Sequence, residues 1–188
     1  MTQRQIQKME TKKNIYNAAM KLFSEKPFED VKVSEIAEAA NVSVGLIYFH
    51  FDSKDSIIDY GYSIFDDWLK NYVSESKVED GFEKVHLLLK GQIDTVLKLG
   101  HHLTTVVFKN QMEKKNTYLF SEDRYLYSEI RRNIELIKPG FGKEVTDSLL
   151  RISRGVIYDW CTRNGNYDLM EVEKKSLAMV YQYYHLDV

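Results

Sequence analysis

Tyr48, His50 and Lys54 lie within one stretch, SVGLIYFHFDSKD, running from Ser43 to Asp55. Together they offer chemistry toward an anion. A phenol and an imidazole N–H can each donate to a phosphate oxygen, and an ammonium adds charge. Ile47 and Phe51 stand four apart, the spacing of one helix face. If that face is buried, Val44, Gly45, Tyr48 and Phe49 lie on the outer side. Gly45 has no side chain, so another molecule's backbone can approach closely there. The chemistry is recognition rather than bond breaking.

Other reactive groups do not gather. Cys161 is the single cysteine, which excludes an intrachain disulfide and a cysteine-built zinc site. It reads as a small buried hydrophobe. His101 and His102 are adjacent, so on a helix their side chains diverge by about 100° and do not share one ion. Glu122, Asp123 and Glu129 read as a solvated helix face. The sequence contains no Ser/His/Asp arrangement, phosphate-binding P-loop or dinucleotide fingerprint. Neither an enzyme nor a cofactor-dependent protein is expected, and no metal site.

The elements that must hold the quoted stretch are helical. The chain has 188 residues, 44% of them hydrophobic and 29% charged, with only two prolines, Pro27 and Pro139. Ile15, Ala18, Ala19, Leu22 and Phe23 recur on one helix face, and Pro27 ends that helix. Val33, Ile36, Ala37 and Ala40 form a second, shorter pattern, interrupted at the turn residue Asn41. Ser43 can cap a third helix through its hydroxyl, and Val42 joins Ile47 and Phe51 in facing inward. Ser53 can cap a fourth that runs through Trp68 and Tyr72. Further helices are expected near 82–99, 102–116, 120–138, 143–164 and 171–186. In the last two, Leu149, Ile152, Val156 and Trp160 share a face, as do Leu177, Val180, Tyr181 and Tyr184. Gly155, in mid-helix, costs about 1 kcal/mol against alanine; its smallness would let a partner helix come close.

Three short helices with a tight turn between the second and third make a helix-turn-helix. In that motif the third helix enters the major groove of duplex DNA, with neighbouring polar groups on phosphates. Val44, Leu46 and Phe49 then offer apolar contact to thymine methyls. Net charge is −2, and residues 1–60 carry eight bases against nine acids. Any DNA face must come from local placement of charge. Lys8, Lys12 and Lys13 read either as further phosphate contacts or as a solvated polar tail. No apolar run reaches the roughly 18 residues of a membrane span. The polar start MTQRQIQKMETKK lacks an apolar signal core, and a cytoplasmic location is expected.

IYNAAMKLF followed by VSEIAEAANVSVGLIYFHFDSKDSI resembles the DNA-binding domain of the tetracycline-repressor (TetR) family. The likeness spans about residues 11–60. It rests on Ala19, Leu22, Phe23, Ile36, Ala37, Val42, Ser43, Gly45, Tyr48, Phe51 and Lys54. It implies that Tyr48, His50 and Lys54 meet phosphates while Val44, Gly45 and Phe49 meet the groove. Lys32 stands where the family often has a threonine that caps the second helix. Lysine cannot cap that way, but its charge can serve a phosphate. The DNA-facing set is thus Lys32, Ser43, Val44, Gly45, Leu46, Tyr48, Phe49, His50 and Lys54.

The expected fold is all-α. Residues 1–55 form the helix-turn-helix unit, and residues 56–188 a helical ligand-binding and dimerisation bundle. The resemblance implies a repressor that binds double-stranded operator DNA as a homodimer, paired through its last two helices. It also implies release by a small-molecule inducer. Ligand sites in bundles lie between facing helices, and Trp68, Phe108, Met112, Tyr125 and Trp160 are the candidate lining. The fourth helix joins both parts and is the expected lever. The competing reading is a DNA-binding module whose helical domain serves only dimerisation or protein interaction.

Overall fold

A computed structural model describes residues 2–113 and 118–186, and all regular structure among them is helical. The chain divides into two compact units, the first ending at Ile64 and the second beginning at Phe65.

In the first unit, α1 spans Gln3–Glu25. Thr2 starts it: its hydroxyl accepts from the Gln5 N–H at 3.3 Å, and the Gln5 side chain accepts from the Thr2 N–H at 2.8 Å. This reciprocal pair satisfies two helix-end donors. Ile15, Ala19 and Phe23 form its buried stripe, and extended backbone at Lys26 before Pro27 stops it. A 3-10 turn over Phe28–Asp30 leads to α2, Val33–Ala39. Asn41 takes φ +53°, a left-handed conformation that asparagine tolerates better than most residues. Asn14 of α1 donates to the Ala40 carbonyl at 2.8 Å and fixes the turn from inside. Then come α3, Val44–His50, and α4, Lys54–Ser76. Ser53 and Ser56 cap the start of α4 reciprocally, each hydroxyl accepting the other's N–H.

The expected border after residue 55 falls at the very start of α4. Its first turns send Ile57 and Ile58 into the first unit's core, and the Tyr60 ring meets Tyr16 and Phe51 edge-on. Burying an isoleucine contributes about 1.5–3 kcal/mol, which is why these turns belong to the first unit.

The second unit holds the rest of α4, then α5 (Gly81–Glu113), α6 (Tyr125–Ile137), α7 (Gly142–Thr162) and α8 (Leu169–Tyr183). Gly100, at φ +74° and ψ 165°, breaks α5 into the two segments expected from sequence. Residues 114–116 of the second expected segment lie outside the described residues. Before α6, a 3-10 turn covers Tyr118–Phe120. The helix expected from 120 starts at Tyr125 instead, because Arg124 has extended backbone and is held by Asp66 in a two-pronged ion pair of 2.7 and 3.1 Å. Leu69, Leu88, Leu89, Ile130, Ile134 and Leu149 sit at the centre of the larger core. A smaller cluster gathers Ile93, Ile157, Trp160 and Leu169. At Gly91 an added Cβ would come within 2.6 Å of the Leu69 side chain, so glycine sets how closely α5 lies on α4 there.

Candidate nucleic-acid interface

α3 has two faces. Its N-terminus is held by Ser43, whose Oγ accepts from the Leu46 N–H at 3.1 Å. Ile47 and Phe51 are 2% and 3% exposed, whereas Val44, Tyr48 and Phe49 are 40%, 55% and 66% exposed. Large apolar groups on a surface call for an explanation when they sit side by side. Leu46 is half-buried between the two faces, and Ser43 and Gly45 are exposed. A Cβ added at Gly45 would meet nothing nearer than Ser43 Oγ at 3.9 Å. Nothing among the described residues therefore requires glycine at that position.

The polar residues separate into different roles. Tyr48 stands exposed on α3. His50 is half-buried, with its ring edge-on to Phe49 at 5.2 Å between centroids. Its Nδ1 is buried and has no hydrogen-bond partner. Burial first, then the charges of Lys8 and Lys12, push its pKa below the ordinary histidine value. At neutral pH it offers an N–H rather than a charge. Lys32 is exposed at the position before α2. The cap there is made by Glu35, which accepts from the Lys32 N–H at 2.7 Å and pairs with Lys26 at 2.5 Å. The Lys26 hydrogen bond, then that backbone N–H, hold the Glu35 carboxyl below its ordinary value.

Lys54 departs from the sequence expectation. Its ammonium donates to the carbonyls of Phe28 at 2.7 Å, Glu29 at 3.3 Å and Val31 at 2.7 Å, and lies 4.6 Å from the centre of the Phe28 ring. An ammonium has three protons, and all three are engaged. Lys54 holds the loop between α1 and α2, and its N–H donors are taken up there.

Two lysines of α1 lie instead beside α3. Lys8 Nζ is 5.0 Å from the centre of the Phe49 ring. Lys12 Nζ is 5.0 Å from the Phe51 ring and 4.5 Å from the Tyr60 ring. Lys13 is exposed.

Residues 15–60 match the model of the family described as bacterial regulatory proteins, tetR family. The biofilm operon icaADBC HTH-type negative transcriptional regulator IcaR of Staphylococcus aureus is 36% identical over 62 residues, 33% of this chain and 33% of that protein. Over this N-terminal stretch the chain is similar to tetR-family regulatory proteins. The similarity to IcaR thus spans about a third of the relative's length. Along nearly the whole chain the likeness is one of fold. FadR of Thermus thermophilus, solved with lauroyl-CoA, covers 90% of this chain and 92% of its own at TM-score 0.61 and 18% identity. FadR of Bacillus subtilis, solved with stearoyl-CoA, covers 89% and 96% at TM-score 0.62 and 18% identity. NalD of Pseudomonas aeruginosa, a secondary repressor of the MexAB-OprM efflux pump, covers 93% and 96% at TM-score 0.57 and 18% identity.

Of the five residues expected to line a ligand site, Trp68 and Tyr125 pack against the larger core, and Phe108 packs against the smaller cluster that holds Trp160. Trp68 stacks on Tyr72, at 5.0 Å and 14° between ring planes, and Lys98 Nζ lies 5.2 Å from the centre of the Trp68 ring. Phe108 packs on the smaller cluster. Trp160 is buried in that cluster, and its Nε1–H donates to the Tyr167 carbonyl at 3.1 Å. Met112 is 67% exposed. Tyr125 borders a groove of about 640 Å³, together with Lys70, Val73, Lys77, Lys84 and Arg132.

A buried polar row was not anticipated. Gln92 of α5 donates to Ser153 Oγ of α7 at 3.2 Å, and Ser153 donates to the Glu173 carboxylate of α8 at 2.5 Å. Gln92 Oε1 and the Tyr181 hydroxyl are buried without a hydrogen-bond partner. Burial raises the Glu173 carboxyl to about 7, against the Ser153 hydrogen bond that lowers it. Burial, then the nearby Glu173 charge, pushes the Tyr181 phenol up as well. The signal lay in α8: Glu173 interrupts the apolar series Leu169, Leu177 and Tyr181 at four-residue steps.

Proposed function

We propose that this chain is a sequence-specific DNA-binding transcriptional repressor that acts in the cytoplasm as a homodimer and leaves its operator when a small molecule binds. The observation that carries the DNA reading is the outer face of α3. Val44, Gly45, Tyr48 and Phe49 stand exposed on a helix whose other face is sealed by Ile47 and Phe51. Tyr48 is the phosphate donor, with His50 beside it. Val44 and Phe49 touch thymine methyls, and Gly45 lets the backbone approach. Lys32 and Ser43 flank the same helix.

Pairing through α7 and α8 is supported by what they leave uncovered. Tyr158, Met179 and Tyr183 are large and exposed, and a Cβ added at Gly155 meets nothing within 4 Å. Two recognition helices must then stand about 34 Å apart to meet successive turns of DNA. A ligand that binds better to a dimer with another spacing shifts the population off the operator. Continuity of α4 through the division at Ile64 makes it the lever.

Ligand control is supported by the buried row of Gln92, Ser153, Glu173 and Tyr181. Unpartnered polar atoms inside a core are destabilising by about 1–3 kcal/mol each unless something pairs with them. FadR proteins of the same fold hold acyl-CoA molecules, which supports a ligand with a long apolar part.

The test is selection of bound duplexes from a random pool, followed by release from the winning sequence with a panel of acyl-CoA thioesters and free fatty acids. A shared palindromic motif with release by one panel member is expected. No enrichment of any sequence overturns the DNA reading, and a motif that nothing in the panel releases overturns acyl control.

A further inference from the structure

The first three turns of α1 lie outside residues 15–60, the segment that matches the family model. Residues 3–14 carry Arg4, Lys8, Lys12 and Lys13 against a single acid, Glu10. Arg4, Lys8 and Lys12 are spaced by four, so they form one stripe along the helix, within about 80° of one another. Such a stripe on a free helix end would ordinarily be solvated.

Here two of its members are seated on aromatic rings. Lys8 lies over Phe49 and Lys12 over Phe51 and Tyr60, each within the roughly 6 Å at which a cation is drawn to a ring face. Both lysines are also close enough to His50 to disfavour its charged form. The stripe therefore adjoins the recognition helix. Phe49 has no hydrogen-bonding group, yet it is the most exposed large residue of α3.

We infer that Phe49 is the platform on which Lys8 is held for DNA, so that α1 and α3 form one composite contact with the duplex, Arg4 and Lys12 extending it along the backbone phosphates. One side of the ring serves the cation while its edge remains available to the groove. The inference rests on the DNA-binding reading above. It makes Phe49 a positioning residue as well as a groove contact. It also supplies N–H donors in place of those that Lys54 directs to the loop before α2.

The experiment is a double-mutant cycle with Lys8→Ala and Phe49→Leu, read as duplex affinity across a series of KCl concentrations, on the duplex that the unaltered protein selects. Leucine keeps an apolar group for a thymine methyl but removes the ring face. Lys8→Ala should lower the slope of log K against log salt by about one, the count of one phosphate contact. Phe49→Leu should weaken binding about two- to fivefold, the size of an exposed cation–ring contact. That loss should vanish in the Lys8→Ala background. An unchanged slope in Lys8→Ala, or a Phe49→Leu loss of equal size in both backgrounds, overturns the inference while leaving the DNA reading intact. Absence of salt-dependent binding by the unaltered protein overturns both. Each side chain is exposed, and equal melting temperatures confirm that the variants fold.

Discussion

The ammonium of Lys54 lies 2.7 Å from the backbone oxygen of Val31, and it reaches the Phe28 oxygen at the same distance. These carbonyls follow α1 and precede α2, in the segment that carries the 3-10 turn. Lys54→Met keeps the stem and removes the donors. Hydrogen bonds to a charged group contribute about 1.5–3 kcal/mol, and the site is only half-buried. We expect a loss of about 2 kcal/mol in urea unfolding. The salt dependence of DNA binding should stay unchanged, whereas a phosphate contact would reduce its slope by about one.

Tyr48→Phe isolates the phenol. Its ring stays, so packing is unaffected, and its hydroxyl is exposed rather than bonded inside the unit. A phosphate donor positions the protein on the duplex without reading sequence. Affinity should fall about tenfold on selected and unrelated duplexes alike. A loss confined to the selected duplex would move Tyr48 from the backbone to a base edge.

Much of the first unit was legible because its signals are local. Ile47 and Phe51 repeat at one helical step, Ser43 stands where a cap is needed, and Asn41 suits a left-handed turn. The break at Gly100 was legible only as the gap between the helices expected over 82–99 and 102–116. The role of Lys54 was not, because its acceptors lie 23 to 26 residues earlier. The start of α6 was missed for a similar reason: Arg124 is fixed by Asp66, 58 residues away. The interior of the second unit was least legible. Aromatic residues serve cores and pockets equally well, while Gln92, Ser153 and Glu173 gain meaning only once three helices bring them together.

Gly100 gives a direct test of the break in α5. At φ +74° and ψ 165° its backbone occupies a region essentially reserved for glycine. Nothing surrounds an added Cβ within 4 Å, so the penalty is conformational alone. Gly100→Ala should destabilise the protein by about 1–3 kcal/mol in chemical denaturation. A neutral effect would mean that the two segments of α5 run on as one helix.

Met179 and Tyr183, 63% and 76% exposed on α8, test the proposed dimer. Replacing both with glutamate places two charges per protomer on the face where the partner's apolar groups would lie. Sedimentation should then report a monomer with unchanged helix content. Operator affinity should fall by at least about a hundredfold, because linked half-sites gain that much from effective concentration. A dimer that survives both substitutions places the interface elsewhere.

Glu173 makes stability depend on pH in a defined direction. Its carboxyl rises from 4.5 to about 7 in the folded protein because burial disfavours the charge. Between those values the folded state holds a proton that the unfolded chain has released. Stability therefore falls as pH rises through this window and levels off above it, by an amount on the order of 3 kcal/mol. His50 acts in the opposite sense. Its pKa is lowered on folding, so it favours the unfolded chain as pH falls. The Glu173 contribution is isolated by comparing the protein with Glu173→Gln, which keeps shape and hydrogen bonding but cannot ionise. Urea unfolding from pH 5 to pH 8 should show the difference between the two growing with pH in favour of the glutamine variant. A constant difference would mean that Glu173 ionises in the folded protein much as it does in the unfolded chain, and that the row it forms with Ser153 and Gln92 is open to water.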